Sequence, residues 1–145
     1  MENAKIMIVD DDPDYIEVIK AILEREQYTV VTAGDKREGM EKIRAEKPDL
    51  AILDVMMNAW QDGFEMSRQL KKDPQFKNMP VLMLTAVENR TGIDFKSTAG
   101  DVAWLPSDVF LDKPVEPDAL LFEVKKLLSS KAENESVLEN ARFEA

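Results

Sequence analysis

An apolar run that ends abruptly in one carboxylate, residues 50–54 (LAILD), most constrains what this chain can fold into. A short apolar run rich in branched side chains is typical of a strand that is buried on both faces of a parallel sheet. An aspartate at the end of such a strand lies at the carboxyl edge of the sheet, where open α/β sheets place their ligand sites. Asp54 is therefore the first candidate for a functional residue.

Similar short runs recur along the chain, with amphipathic segments between them. The predicted strands are 5–9, 28–32, 50–54, 80–85 and 109–112. Asp12 before Pro13 has the pattern of an N-cap with proline at the first helical position, and Asp35 with Glu38 has that of a capping box. Strands that alternate with helices form parallel sheets through right-handed crossovers. The predicted fold is thus α/β, a doubly wound five-stranded parallel sheet in the flavodoxin-like order 2-1-3-4-5, with three α/β/α layers.

The 145 residues predict one domain, at 1–130. Residues 87–107 are irregular, with scattered glycine, proline and tryptophan, and predict a weak helix and a long loop. Residues 131–145 predict a polar C-terminal tail.

Composition excludes several classes of function. The chain has no histidine and no cysteine, which excludes Ser-His-Asp catalysis, zinc thiolates and a phosphohistidine on this chain. A net charge of -10 argues against direct nucleic-acid binding. No apolar run is long enough to span a bilayer, and no signal-type core is present. We therefore expect no membrane partner, and the cysteine-free sequence fits a cytoplasmic location.

In the predicted sheet, the ends of four strands converge at one edge and bring together Asp10, Asp11, Asp54, Thr85 and Lys113. Three carboxylates in one cleft repel each other unless a cation or a proton intervenes. Hard oxygen ligands favour Mg²⁺, with Mn²⁺ as the alternative. A carboxylate beside such an ion can accept a phosphoryl group as an acyl phosphate. Lys113 would balance the phosphoryl charge, and Thr85 would donate a hydrogen bond to it.

These residues stand in short motifs at the strand ends: 9–11 (VDD), 53–57 (LDVMM), 84–86 (LTA) and 113–114 (KP). In this order and placement they resemble the receiver domain of bacterial two-component response regulators, over about residues 4–130. The resemblance implies that Asp54 is phosphorylated, that Asp10 and Asp11 hold the metal ion together with Asp54, and that Met56 lends its backbone carbonyl to the metal.

The resemblance also implies a switch next to the acceptor. Thr85 matches the switch hydroxyl, the Ala86 amide a phosphate donor, Lys113 the family's lysine and Phe110 the switch aromatic. The implied partners are a sensor histidine kinase or phosphotransfer protein and an unknown downstream protein, with a homodimer on phosphorylation left open. Such a protein is not an enzyme, and slow self-dephosphorylation is the most that is expected of it.

Two departures from the family pattern stand out, since Asn58 replaces the usual proline and the interval from Thr85 to Lys113 is several residues longer than usual. Two other interpretations are kept. Residues 8–12 can be read as the Asp-x-Asp motif of a haloacid-dehalogenase-like phosphatase, with Thr85 and Lys113 as later motif residues, although that family would also need an acidic pair after the lysine, where Asp118 is the only aspartate. Alternatively, the chain is a degenerate receiver that acts as an interaction module without phosphate chemistry.

Overall fold

The computed structural model of the protein describes residues 4–54, 62–85, 109–113 and 115–129. Within them lies a five-stranded parallel sheet in the order β2-β1-β3-β4-β5. The strands are β1 (Lys5–Val9), β2 (Thr29–Ala33), β3 (Leu50–Asp54), β4 (Val81–Thr85) and β5 (Val109–Asp112). The predicted doubly wound fold and its strand order are confirmed.

The described helices are α1 (Pro13–Arg25), α2 (Lys36–Glu46), α3 (Asp62–Lys72) and a C-terminal helix at 117–129. Asp12 caps α1 as predicted, because its Oδ1 accepts from the amides of Asp14 and Tyr15 at 3.0 and 3.3 Å. Asp35 caps α2 by accepting from the amide of Glu38 at 2.8 Å. Among the described helices, none is both long and apolar enough to cross a membrane.

The strands of the sheet send alternate side chains to two apolar layers. On one face, Met7, Val9 and Leu53 pack with α2 and α3. On the other face, Ile6 and Ile52 pack with α1 and the C-terminal helix. Both faces are covered, which explains why the central strands are apolar along their whole length. Polar side chains of these central strands therefore lie at the ends of the strands, with Lys5 at the amino edge and Asp54 at the carboxyl edge.

The observed boundaries differ from the prediction in small ways. The prediction that β2 begins at Tyr28 is wrong by one residue, since the Tyr28 amide donates to the Leu23 carbonyl at the end of α1. Gln27 lies in the left-handed region, with φ of 67°, and turns the chain between α1 and β2. The strand ladder therefore starts at Thr29, whose amide donates to Ala4. The predicted irregular region 87–107 and the predicted tail 131–145 lie outside the described residues.

Candidate functional site

The two acids that follow β1 have different environments. The Asp10 amide donates to the Ala33 carbonyl at 3.1 Å, so this residue stays between its neighbouring strands and its side chain is only 1% exposed. The amide of Asp12 donates to Asp10 Oδ1 at 2.9 Å. Asp11, by contrast, is exposed. A buried and an exposed carboxylate thus lie side by side.

Asp54 is the last residue of β3, and it is 5% exposed. The register pairs Val9 with Leu53, so the next residue of each chain segment, Asp10 after β1 and Asp54 at the end of β3, lies beside the other at the carboxyl edge. One carboxylate oxygen from each of Asp10, Asp11 and Asp54 lies within 4.8 Å of the others. The structure therefore brings together the three acids predicted from the sequence.

Lys113 reaches the same cluster from the end of β5. Its Nζ donates to Asp10 Oδ2 at 2.8 Å and lies 3.5 Å from Asp54 Oδ2. Its side chain is 16% exposed. A single described ammonium thus contacts two of three clustered carboxylates, and the group keeps an excess of negative charge.

The pKa directions follow from this arrangement. Although Asp11 is exposed, partial desolvation at this edge, and then the neighbouring charge of Asp10, raise the pKa of the Asp11 carboxyl above its ordinary value. Burial alone would lower the pKa of the Lys113 ammonium. Its hydrogen bond to Asp10 and the charges of Asp54 and Asp10 more than offset that effect, so the pKa of Lys113 is raised. Lys113 is therefore charged at neutral pH, whereas Asp11 carries an unfavourable negative charge.

The donor set fits a magnesium ion. Carboxylate oxygens are the ligands that Mg²⁺ prefers, and the ion usually takes only one or two of them together with water and phosphate oxygens. The grouping of Asp10, Asp11 and Asp54 provides such oxygens close enough to share one ion. A divalent cation would also offset the charge that Lys113 leaves uncompensated.

Two of the residues predicted for the switch are described only by their backbone. Thr85 ends β4 opposite Asp112 of β5, and Phe110 lies opposite Met83. These pairings place the Thr85 backbone at the same carboxyl edge as Asp54. The side chains of Thr85 and Phe110, and the whole of Met56 and Ala86, lie outside the described residues.

Tyr15 belongs to the site but was not among the residues predicted from the sequence. Its ring centroid lies 4.5 Å from Lys113 Nζ, and its hydroxyl accepts from the amide of Val115 at 3.1 Å. The only local signal is an aromatic residue in the first turn of the helix that follows the acidic pair.

The repulsion within the cluster gives a first testable expectation. Asp11→Asn removes one like charge, and we expect it to stabilise the metal-free protein by up to about 1 kcal/mol, a small effect because the group is exposed and screened. The free energy of unfolding in urea with EDTA measures this gain. If Asp11 is a ligand of Mg²⁺, as the sequence predicts, the order is expected to reverse when Mg²⁺ is present, because an ion that binds only the folded state stabilises the wild type more.

The stability difference between Asp11→Asn and the wild type is expected to depend on pH, in a direction that follows from the raised pKa of Asp11. Because the folded-state pKa of Asp11 is raised, the wild-type protein gains stability from this group as pH falls through that pKa. The advantage of Asp11→Asn is therefore full at neutral pH and is expected to vanish below the unfolded value of 3.8. An advantage that grows on acidification would contradict the assigned repulsion.

The doubly wound 2-1-3-4-5 sheet has three carboxylates and a lysine at its carboxyl edge, and these features define the class: an α/β domain with a cluster of charged residues at that edge. The family model described as "Response regulator receiver domain" matches residues 6–125. The chain belongs to this family, the receiver domains of two-component response regulators. The predicted resemblance is confirmed, and the comparisons give no support to the phosphatase alternative.

Relatives and solved structures agree with that assignment. The alkaline phosphatase synthesis transcriptional regulatory protein PhoP of Bacillus subtilis is 37% identical over 126 residues, which are 87% of this chain and 49% of PhoP. Protein PilH of Pseudomonas aeruginosa is 31% identical, over 87% of this chain and 98% of PilH. The chemotaxis response regulator CheY4 of Vibrio cholerae superposes with a TM-score of 0.72 at 31% identity, covering 86% of this chain and 98% of that one.

The chain matches only part of several relatives. It spans 49% of PhoP and 8% of the hybrid signal transduction histidine kinase D of Dictyostelium discoideum. Receiver domains of this family therefore occur both nearly alone, as in PilH, and within much longer proteins.

Proposed function

We propose that this receiver takes up a phosphoryl group on Asp54, in a magnesium-dependent reaction, from the phosphohistidine of a sensor histidine kinase or a phosphotransfer protein. The observation that carries the proposal is the convergence of Asp54 with Asp10, Asp11 and Lys113 at the carboxyl edge. Because the chain contains no histidine, the phosphohistidine belongs to the partner.

The proposed transfer is a substitution at phosphorus. A carboxylate oxygen of Asp54 attacks the phosphorus atom, the bond from phosphorus to the partner's imidazole nitrogen breaks, and the imidazole leaves with the electron pair of that bond. Asp54 is 5% exposed, so its surroundings exclude most water while a small part of the residue stays accessible. The product is an aspartyl phosphate, a mixed anhydride.

Lys113 and the acidic pair have separate roles in this proposal. The ammonium of Lys113, now 3.5 Å from Asp54 Oδ2, is close enough to pair with a phosphoryl oxygen once the group is attached. Asp10 and Asp11, with Asp54, would hold the magnesium ion, which neutralises phosphoryl charge when it is bound. The backbone carbonyl of Met56 is the proposed further ligand, and the Thr85 hydroxyl and Ala86 amide are the proposed phosphoryl donors.

The consequence proposed for the phosphorylated form is a change at a partner-binding surface, with Thr85 and Phe110 reorienting together. A new charge would thus bias an element with two arrangements. Output through a protein partner is proposed for these residues, since a net charge of -10 opposes direct binding to nucleic acid. One relative is named a transcriptional regulatory protein, but its other half is not matched by this chain. A cytoplasmic location is part of the same proposal.

The decisive experiment is intact-mass spectrometry after incubation with acetyl phosphate and Mg²⁺. We expect the wild-type protein to gain the mass of one phosphoryl group, and the gain to disappear with EDTA or in Asp54→Asn. Asp49→Asn is the matched control, because Asp49 precedes the same strand at the opposite edge, where it accepts from the Lys5 amide. Equal labelling of the wild type and Asp54→Asn would contradict the proposal, and no labelling under any condition would favour the interaction module.

A further inference from the structure

Tyr15 contacts the chain around Lys113 at two points, although about a hundred residues separate them in sequence. The face of its ring lies against the ammonium, with 4.5 Å between Nζ and the ring centroid. Its hydroxyl oxygen accepts from the Val115 amide at 3.1 Å, two residues after Lys113. One side chain thus holds both the charged end of Lys113 and the backbone that carries it.

The ring and the carboxylates contact the same ammonium. Lys113 Nζ donates to Asp10 at 2.8 Å and lies 3.5 Å from Asp54, and the face of the Tyr15 ring lies 4.5 Å from the same atom. An ammonium within about 6 Å of an aromatic centroid is attracted by the ring, and the attraction grows where water is excluded. Since the Lys113 side chain is 16% exposed, this contact is largely shielded from solvent.

The lysine side chain is long and flexible, so without the ring Lys113 could keep its hydrogen bond to Asp10 in several conformations. Only some of those conformations keep the ammonium close to Asp54. A charged donor assists phosphoryl transfer most when it is already in place and needs no reorganisation. In this structure Lys113 has a conformation of that kind, with the Tyr15 ring against its ammonium.

We propose that Tyr15 is a positioning residue, which holds the Lys113 ammonium beside Asp54 so that it is in place for an incoming phosphoryl oxygen. This inference rests on the function proposed above. Tyr15 itself acts through Lys113 and needs no contact with the phosphoryl group. Most of the positioning comes from the contact between the ring and the ammonium. The hydroxyl stabilises the segment that follows Lys113, through its hydrogen bond with the Val115 amide.

The test uses beryllofluoride, which stands in for a phosphoryl group on an aspartate, and measures its affinity by ¹⁹F NMR at saturating Mg²⁺. Tyr15→Leu is expected to weaken beryllofluoride binding about tenfold, and Tyr15→Phe, which keeps the ring, by no more than about threefold. The affinity for Mg²⁺ alone is expected to stay within about twofold of the wild type in both variants, since the carboxylate ligands remain.

The other tyrosine provides the matched control. Tyr28 is buried at the end of α1, and Tyr28→Leu is expected to lower the melting temperature while leaving beryllofluoride affinity unchanged. Beryllofluoride binding by Tyr15→Leu as tight as in the wild type would overturn the inference, as would a parallel loss of Mg²⁺ affinity, which would indicate a general structural effect.

The wild type and Asp54→Asn separate this inference from the proposed function. If the wild type binds beryllofluoride and Asp54→Asn does not, the acceptor site is supported, and the Tyr15 variants decide the positioning role alone. If the wild type binds none, the proposed function fails and this inference fails with it.

Discussion

Lys113→Met is expected to destabilise the metal-free protein by about 3–5 kcal/mol, the cost of breaking a buried ion pair by removing one partner. The substitution leaves the Asp10 carboxylate, which is 1% exposed, without the ammonium that donates to it at 2.8 Å. Methionine keeps an apolar stem of similar length, so the loss is mainly one of charge. The amide of Asp12 remains as a hydrogen-bond donor to Asp10, but it supplies no compensating charge.

Urea denaturation in the presence of EDTA measures this effect. The control is Lys125→Met, which breaks an exposed pair with Glu26 at 3.7 Å and is expected to cost no more than about 1 kcal/mol. Adding Asp10→Asn to Lys113→Met is expected to recover most of the loss, because the uncompensated carboxylate is then gone. A loss no larger than that of Lys125→Met, or no recovery in the double variant, would show that the Lys113–Asp10 pair is not what stabilises this edge of the sheet.

Ile19→Ala is the substitution expected to weaken the fold itself most clearly, by about 2–5 kcal/mol. Ile19 is fully buried in the layer between α1 and the sheet, so alanine leaves a cavity there. The adjacent Val18 is 55% exposed on the same helix, and Val18→Ala is expected to change stability by no more than about 0.5 kcal/mol. The two variants are compared by the urea concentration at the midpoint of unfolding, provided that the dependence of the unfolding free energy on urea concentration is the same in both. Similar costs for the two would contradict the assigned face of α1.

Much of the fold could be predicted because the local sequence patterns agree with the strands and helices that the structure contains. The apolar runs in β1, β3 and β4 are continuous since both faces of those strands are covered, and each cap residue stands where its helix begins. The start of β2 could not be placed correctly, because the hydrophobic pattern includes Tyr28. The structure uses Tyr28 to close α1, with its amide donating to Leu23. The pattern of apolar and polar residues does not reveal a backbone hydrogen bond of this kind.

The site was predictable to the extent that its residues end strands. Asp10 and Asp54 follow from that rule and from the order of the sheet, which fixes their proximity. The rule does not tell which acid of the Asp10–Asp11 pair is buried, nor that Lys113 pairs with Asp10. Tyr15 could not be found at all in this way, because its role depends on a contact between a helix and a loop that are distant in sequence.

The most direct test of the central claim is to locate the phosphoryl group chemically. Borohydride reduces an aspartyl phosphate to homoserine, so peptide mass spectrometry of the protein treated with acetyl phosphate, Mg²⁺ and then borohydride identifies the acceptor. We expect homoserine at position 54, dependent on Mg²⁺ and absent when acetyl phosphate is omitted. Homoserine at Asp10, Asp11 or another carboxylate, or a phosphorylated protein with no reducible position, would contradict the assignment of Asp54 as the acceptor.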